Sequence, residues 1–285
     1  MSKIITCIDG STHADSVCNL SAWAAKSTKL PISLLHVVTP HSDVATKGNF
    51  SGSIGLGAKR DLLEELTEID EARGKLEQRK GLLMLDHAVE ELAAKGIENV
   101  KTLHLRGSLV DTIIDLESQA ELVILGKYGE HADGEPSIIG SHLESVARSI
   151  KKPLLIATKN TQKIEKFLIA FDGSATAKKA LEQVSKSKFL KDLECHLLTV
   201  GENNAENNLI LQQAKTTLEN AGYQVTTSLQ TGNSVEDVVS NYVEKNAINL
   251  LAIGAYGHSK IRSMILGSVT TSLIHKSKVP VLLFR

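Results

Sequence analysis

The sequence predicts an α/β fold: two tandem open parallel five-stranded sheets flanked by helices, Rossmann-like in build. Three observations carry that expectation. Short Ile/Leu/Val runs alternate with longer amphipathic stretches, and the runs are continuously apolar, as strands buried on both faces of a parallel sheet must be. The chain also repeats itself at a constant offset of 163 positions (4 to 167, 34 to 197): Ile4-Ile5-Thr6-Cys7-Ile8-Asp9-Gly10-Ser11 realigns with Phe167-Leu168-Ile169-Ala170-Phe171-Asp172-Gly173-Ser174, and Leu34-Leu35-His36-Val37 with Leu197-Leu198-Thr199-Val200. Finally, the apolar run 250–253 leads into Gly254-Ala255-Tyr256-Gly257, nine further residues and Gly267-Ser268-Val269-Thr270. In a parallel sheet that is where a phosphate-bearing ligand is held.

The repeat divides the 285 residues into two units, 1–158 and 159–285, with the polar stretch 158–166 as the natural boundary. In the second unit the pattern predicts strands near 167–171, 195–200, 224–229, 250–254 and 281–284, with helices near 177–185, 205–221, 234–246 and 268–276. Ser108 and Ser234 each precede an acidic residue by three positions, Asp111 and Asp237, close to a capping-box start for the helix after the third strand. The first unit carries a long insertion at about 41–96. There a Ser/Gly-rich loop, 51–57, precedes a long helical pattern in which Leu62, Leu66, Ile69, Leu76 and Leu83 recur at three-, four- and seven-residue steps. We expect that stripe to pack on the core. Gly74 and Gly81 interrupt it at a cost of roughly 1 kcal/mol each, which predicts a break or two segments.

Bulk properties narrow the function. A net charge of -1 gives no basic surplus for nucleic acid. Cys7, Cys18 and Cys195 are odd in number and widely spaced, which fits buried thiols in a reducing compartment better than disulfides or zinc. No apolar run approaches bilayer length and no leader precedes the first strand, so a cytoplasmic protein with no membrane partner is expected. The ten histidines form no H-E-x-x-H pair, and His36 and Trp23 read as packing residues. No G-x-x-x-x-G-K-[ST] loop and no G-x-S-x-G elbow occurs, so neither a P-loop ATPase nor a serine hydrolase is supported.

The glycine segment has its own chemistry. Gly254 and Gly257 lack a Cβ, so the backbone there can turn sharply and approach a sugar or phosphate. Gly267 to Thr270 open a helix whose unpaired N–H groups and positive dipole end suit an anion, with the hydroxyls of Ser268 and Thr270 as further donors. An isolated G-x-x-G more often makes only a tight turn. Here the setting between a buried strand and a helix, in a unit whose first strand ends in Asp-Gly-Ser, favours the ligand.

On these residues the chain resembles a tandem universal stress protein over nearly its whole length. Nucleotide-binding members carry G-x2-G-x9-G-[ST], which Gly254, Gly257, Gly267 and Ser268 match without a gap and Val269-Thr270 continue. The resemblance implies an adenine nucleotide, ATP or AMP, with Mg accompanying it. Carried over, it places Ala170, Phe171, Asp172 and Val200 by the base, Ile253, Gly254 and Tyr256 on the ribose side, and Gly257, Gly267, Ser268, Val269 and Thr270 at the phosphates. It also implies that the two units pack as an intramolecular pseudo-dimer, and a homodimer of such chains is compatible with it.

The first unit departs from the motif. Gly126-Lys127-Tyr128-Gly129 is followed by ten residues before Gly140-Ser141, and the interval holds Glu130, Asp133 and Glu135. A carboxylate about 5 Å from a phosphate would repel it by roughly 1–3 kcal/mol. Asp9, Gly126, Gly129, Gly140 and Ser141 therefore form at best a weaker site, with Lys127 the one opposing signal. Three functions stay open: a nucleotide-binding stress or signalling protein, a scaffold with degenerate sites, and a slow ATP-hydrolysing or nucleotide-transferring enzyme. The sequence offers no positioned general base and no arginine finger, so we assign no catalytic residue and expect at most weak ATPase turnover. The metal ligands are not specified by the motif.

Overall fold

A computed structural model of the chain describes residues 2–39, 56–129, 141–254 and 267–285, and for 56–63 and 141 the backbone alone. The first half comprises β1 (Lys3–Cys7), α1 (Ala14–Thr28), β2 (Ile32–Val38), α2 (Leu56–Ala94), β3 (Val100–Arg106), α3 (Leu109–Leu116), β4 (Ala120–Gly126), α4 (Ser141–Ser149) and β5 (Leu154–Ala157). The second comprises β6 (Lys166–Ala170), α5 (Ala175–Lys186), β7 (Glu194–Val200), α6 (Ala205–Asn220), β8 (Val225–Gln230), α7 (Val235–Lys245), β9 (Leu250–Gly254), α8 (Ser268–Lys276) and β10 (Val281–Phe284).

Within each half every strand pair is parallel, and the order is β3-β2-β1-β4-β5 in one and β10-β9-β6-β7-β8 in the other. The two sheets are not separate. β5 and β10 pair antiparallel, with Leu155 opposite Leu282, so ten strands form one continuous sheet. Consecutive strand residues point to opposite faces, which is why Phe167 and Leu168, or Leu197 and Leu198, enter different cores. One face is covered by α1, the C-terminal part of α2, α5 and α6, the other by α3, α4, α7 and α8.

Contacts across the seam tie the halves together. The Trp23 ring meets Phe189 edge-on at 5.8 Å between centroids, so its expected packing role spans the two halves. Arg285 Nη1 donates to the Ile150 carbonyl just past α4 at 3.0 Å. Ser16 Oγ donates to the Lys159 carbonyl, which pins the connecting segment to α1.

The expectations for α2 need correction twice. It is one uninterrupted helix of 39 residues, because glycine weakens a helix without breaking it. Gly81 has a packing reason: a Cβ there would sit 2.5 Å from His36 Cδ2 and 2.7 Å from His104 Nε2, while at Gly74 it would meet nothing. The helix thus lies directly on two imidazoles paired in register across β2 and β3, with His36 Nδ1 bonded to the Ile8 carbonyl at 2.8 Å. Burial and the neighbouring His36 hold the His104 ring below its ordinary titration range. The apolar stripe, moreover, does not pack as expected. Leu85, Ala88 and Leu92 are the buried residues, whereas Ile69, Leu76 and Leu83 are 55%, 67% and 61% exposed. The Leu62 side chain lies outside the described residues, as do 51–55 of the predicted loop 51–57, whose last two residues, Leu56 and Gly57, instead open α2.

Candidate functional site

In an open parallel sheet the ligand crevice lies beyond the carboxyl ends of the strands where the order reverses, which here means between β6 and β9 and between β1 and β4. In the second half β6 runs out through Ala170 and Phe171, whose N–H donates to the Leu198 carbonyl at 2.9 Å and extends the pairing with β7 by one residue. The chain then turns. Asp172 Oδ1 accepts from the Ser174 N–H at 3.0 Å, and Ser174 Oγ caps α5 by accepting from the Ala177 N–H at 3.1 Å. Gly173 sits at φ +71°, and a Cβ would meet Ile210 Cγ2 at 2.8 Å, so glycine is required on both counts.

Gly254 ends β9 against the first turn of α5, where a Cβ would lie 3.1 Å from the Thr176 carbonyl oxygen. This close approach brings the ends of β6 and β9 under the same helix start. Because β9 and β10 are parallel, α8 must run back between them, and its N-terminus stands at the carboxyl edge of β9. Ser174, Asn204 and Ser234 cap α5, α6 and α7 with a side-chain oxygen, but α8 begins at Gly267 with no side-chain cap among the described residues. Its first helical bond runs from the Thr271 N–H to the Gly267 carbonyl at 2.9 Å, and the amides before it have no intrahelical acceptor.

The predicted residues thus divide. Asp172, Val200, Gly254, Gly267, Ser268, Val269 and Thr270 are at least partly accessible at this edge, as is Ala170. Phe171 and Ile253 are buried, so their side chains belong to the core and only their backbone faces the crevice. Tyr256 and Gly257 lie outside the described residues.

The first half repeats the turn and alters the crevice. Asp9 Oδ1 accepts from the Ser11 N–H at 3.1 Å, and a Cβ on Gly129 would stand 3.4 Å from Asp9 Oδ2, so Asp9, Gly126 and Gly129 are brought together. Gly140, Glu130, Asp133 and Glu135 lie outside the described residues, and Ser141 is described only as the first residue of α4. His13, at the position of Thr176 in the repeat, is buried where α1 begins. A Cβ on Gly126 would come within 3.0 Å of the His13 Cβ, and the His13 ring meets Tyr128 edge-on. The 163-residue alignment displayed this exchange of a small hydroxyl for an imidazole, and sequence reasoning passed over it.

Lys127 is neither a solvated loop residue nor directed at the first crevice. It is buried, and its ammonium donates to the His275 carbonyl at 2.5 Å and the Ser277 carbonyl at 3.1 Å, at the C-terminal end of α8 in the other half. A cation there satisfies two terminal carbonyls and the negative end of the helix dipole. Burial pushes its pKa down to about 8. Among the described residues no three His, Cys, Asp or Glu side chains converge on a possible metal position. The cysteines are free, and burial raises Cys7 and Cys195 to about 12 and Cys18 to about 11, which keeps the thiols protonated near neutral pH. No helix among the described residues is long and apolar enough to cross a membrane.

Two parallel five-stranded units fused edge to edge, each with Asp-Gly-Ser after its first strand and a glycine closing its fourth, define a tandem α/β protein. The chain belongs to the universal stress protein family, whose model matches residues 1–158 and 198–285. It is 39% identical to the universal stress protein Slr1230 of Synechocystis over the full length of both chains. It is 22% identical to the universal stress protein Rv2005c of Mycobacterium tuberculosis, covering 99% of this chain and 96% of that one. The crystal structure of a universal stress protein from Archaeoglobus fulgidus superposes with a TM-score of 0.71 at 20% identity, over 99% of this chain and 98% of the other, a likeness of fold.

Proposed function

We propose that the chain is an adenine-nucleotide-binding member of this family. In this reading 159–285 form the domain that holds ATP or AMP, and 1–158 form a domain of the same kind whose site is altered. The observation that carries the reading is the start of α8: Gly267 leaves the first amides without a side-chain cap, beside two accessible hydroxyls and at the edge where Gly254 ends β9. Ala170, Phe171, Asp172 and Val200 border the base, Ile253, Gly254 and Tyr256 the ribose, and Gly257, Gly267, Ser268, Val269 and Thr270 the phosphates, with Mg entering on the phosphate chain. The bound nucleotide acts as a signal read by a protein partner, and turnover is slow or absent, since the carboxylate at this edge, Asp172, is assigned to the base and not to the phosphates. A cytoplasmic setting fits the free, buried thiols.

In the first half the imidazole of His13 stands where the second half has Thr176, and Lys127 is committed to α8, so we place the weaker site there. The test is to purify the chain without added nucleotide, denature it and analyse the supernatant by ion exchange at 260 nm. About one adenylate per chain is expected. Gly267→Asp, which adds bulk and negative charge at the phosphate position, abolishes binding in this reading, whereas the matching Gly140→Asp has far less effect. A nucleotide-free supernatant with no thermal shift in millimolar ATP would instead establish a scaffold.

A further inference from the structure

The part of α2 that precedes Gly81 presents an exposed apolar stripe, and its sequence carries two opposite charge blocks. From 64 to 80 every described side chain is exposed except Leu66 and Glu77, which are half-buried. That is an arm of about 25 Å at 1.5 Å per residue. Along it Ile69, Leu76 and Leu83 recur every seven residues, with Leu66 completing a stripe on the same face. Such a segment gains no helical stability from its own fold, and a helix this short, with Gly74 inside it, is marginal in water. Something covers the stripe.

The charges say what. Glu64, Glu65, Glu68, Asp70 and Glu71 form a block with no basic residue among them. Arg73, Lys75, Arg79 and Lys80 follow, with Glu77 the single acid among them and already paired with Arg73 at 3.3 Å. A parallel partner helix of the same sequence would set acid against acid. Turned end for end about a two-fold axis near Ala72, the same helix sets Glu64 opposite Lys80, Glu65 opposite Arg79 and Glu71 opposite Arg73, and brings Ile69 of each copy beside Leu76 of the other. We propose that α2 is a dimerisation arm through which two copies of this chain pair antiparallel, residues 64–80 of one helix on the same residues of its partner. The interface is isologous, as closed two-fold dimers require, and it lies outside both crevices, so it stands independently of the nucleotide.

The full chain at 10 μM should sediment with twice the mass of one chain. Leu76→Glu changes a side chain that is two-thirds exposed, so the fold persists by far-ultraviolet circular dichroism while self-association weakens at least 100-fold. Charge exchange identifies the pairing. A chain with Arg73→Glu, Lys75→Glu, Arg79→Glu and Lys80→Glu, and another with Glu64→Lys, Glu65→Lys, Glu68→Lys and Glu71→Lys, should each be monomeric alone and form a heterodimer when mixed. Ala72→Cys should give a disulfide-linked dimer on mild oxidation, because the axis passes beside it. A monomer at 100 μM overturns the proposal, and so does a dimer that survives both Leu76→Glu and the charge exchange, since it would use another surface.

Discussion

At the scale of single residues, Lys127 shows how a loop can change employment between two copies of one fold. In sequence it reads as a stray cation beside a degenerate glycine motif. In three dimensions it leaves that crevice, crosses the seam and ends the last helix of the other half. Lys127→Met keeps the apolar stem and deletes both hydrogen bonds. The gain from no longer burying an ammonium offsets part of that loss, so we expect a net destabilisation of about 1–2 kcal/mol, measurable as a shift in urea midpoint with unchanged slope. An unchanged midpoint would mean that the cap contributes nothing. Asp172 and Asp9 illustrate the opposite case. Both turns follow from Asp-Gly-Ser alone, since an aspartate readily accepts from the backbone N–H two residues on whether or not a ligand is present.

At the scale of elements, the strands of the second half fall within one residue of the sequence expectation and its helices within two, because β6, β7, β9 and β10 are buried on both faces and leave apolar runs, whereas the edge strand β8 is mostly polar. The exception is α2. Its periodicity was legible, but what the stripe faces was not, for periodicity specifies a face without naming the neighbour. Its glycines make a matched pair of probes. Gly74→Ala adds a methyl group to open space and should stabilise the chain by up to about 1 kcal/mol. Gly81→Ala brings the same propensity gain but drives a methyl into His36 and His104, so a net loss of about 1–2 kcal/mol is expected in the same denaturation assay. If both substitutions stabilised the protein, α2 would not rest on that imidazole pair.

At the scale of the whole molecule, the repeat showed two copies of one unit and the resemblance implied that they pair, but not through which strands. Strands 154–157 and 281–284 are alike in being apolar and short, and nothing in either run says that they become neighbours. The seam has a consequence for cooperativity, because Trp23, the single tryptophan of the chain, touches Phe189 in the other half. Its fluorescence should therefore change at the same urea concentration as the helical circular dichroism signal, in one transition. Two separated midpoints would show that the halves unfold independently despite the shared sheet.

The antiparallel meeting of β5 and β10 also fixes the directions in which the molecule opens. Five strands run one way and five the other, so the two mouths point to opposite poles of the sheet, and no small molecule held in one can touch the other. The body between them is not featureless. Nine residues of α8 extend from one pole to the other, with their head at the second mouth and their tail clasped by a lysine that belongs to the rim of the first. A displacement of that rim is thus only the length of one short rod away from the opposite pole.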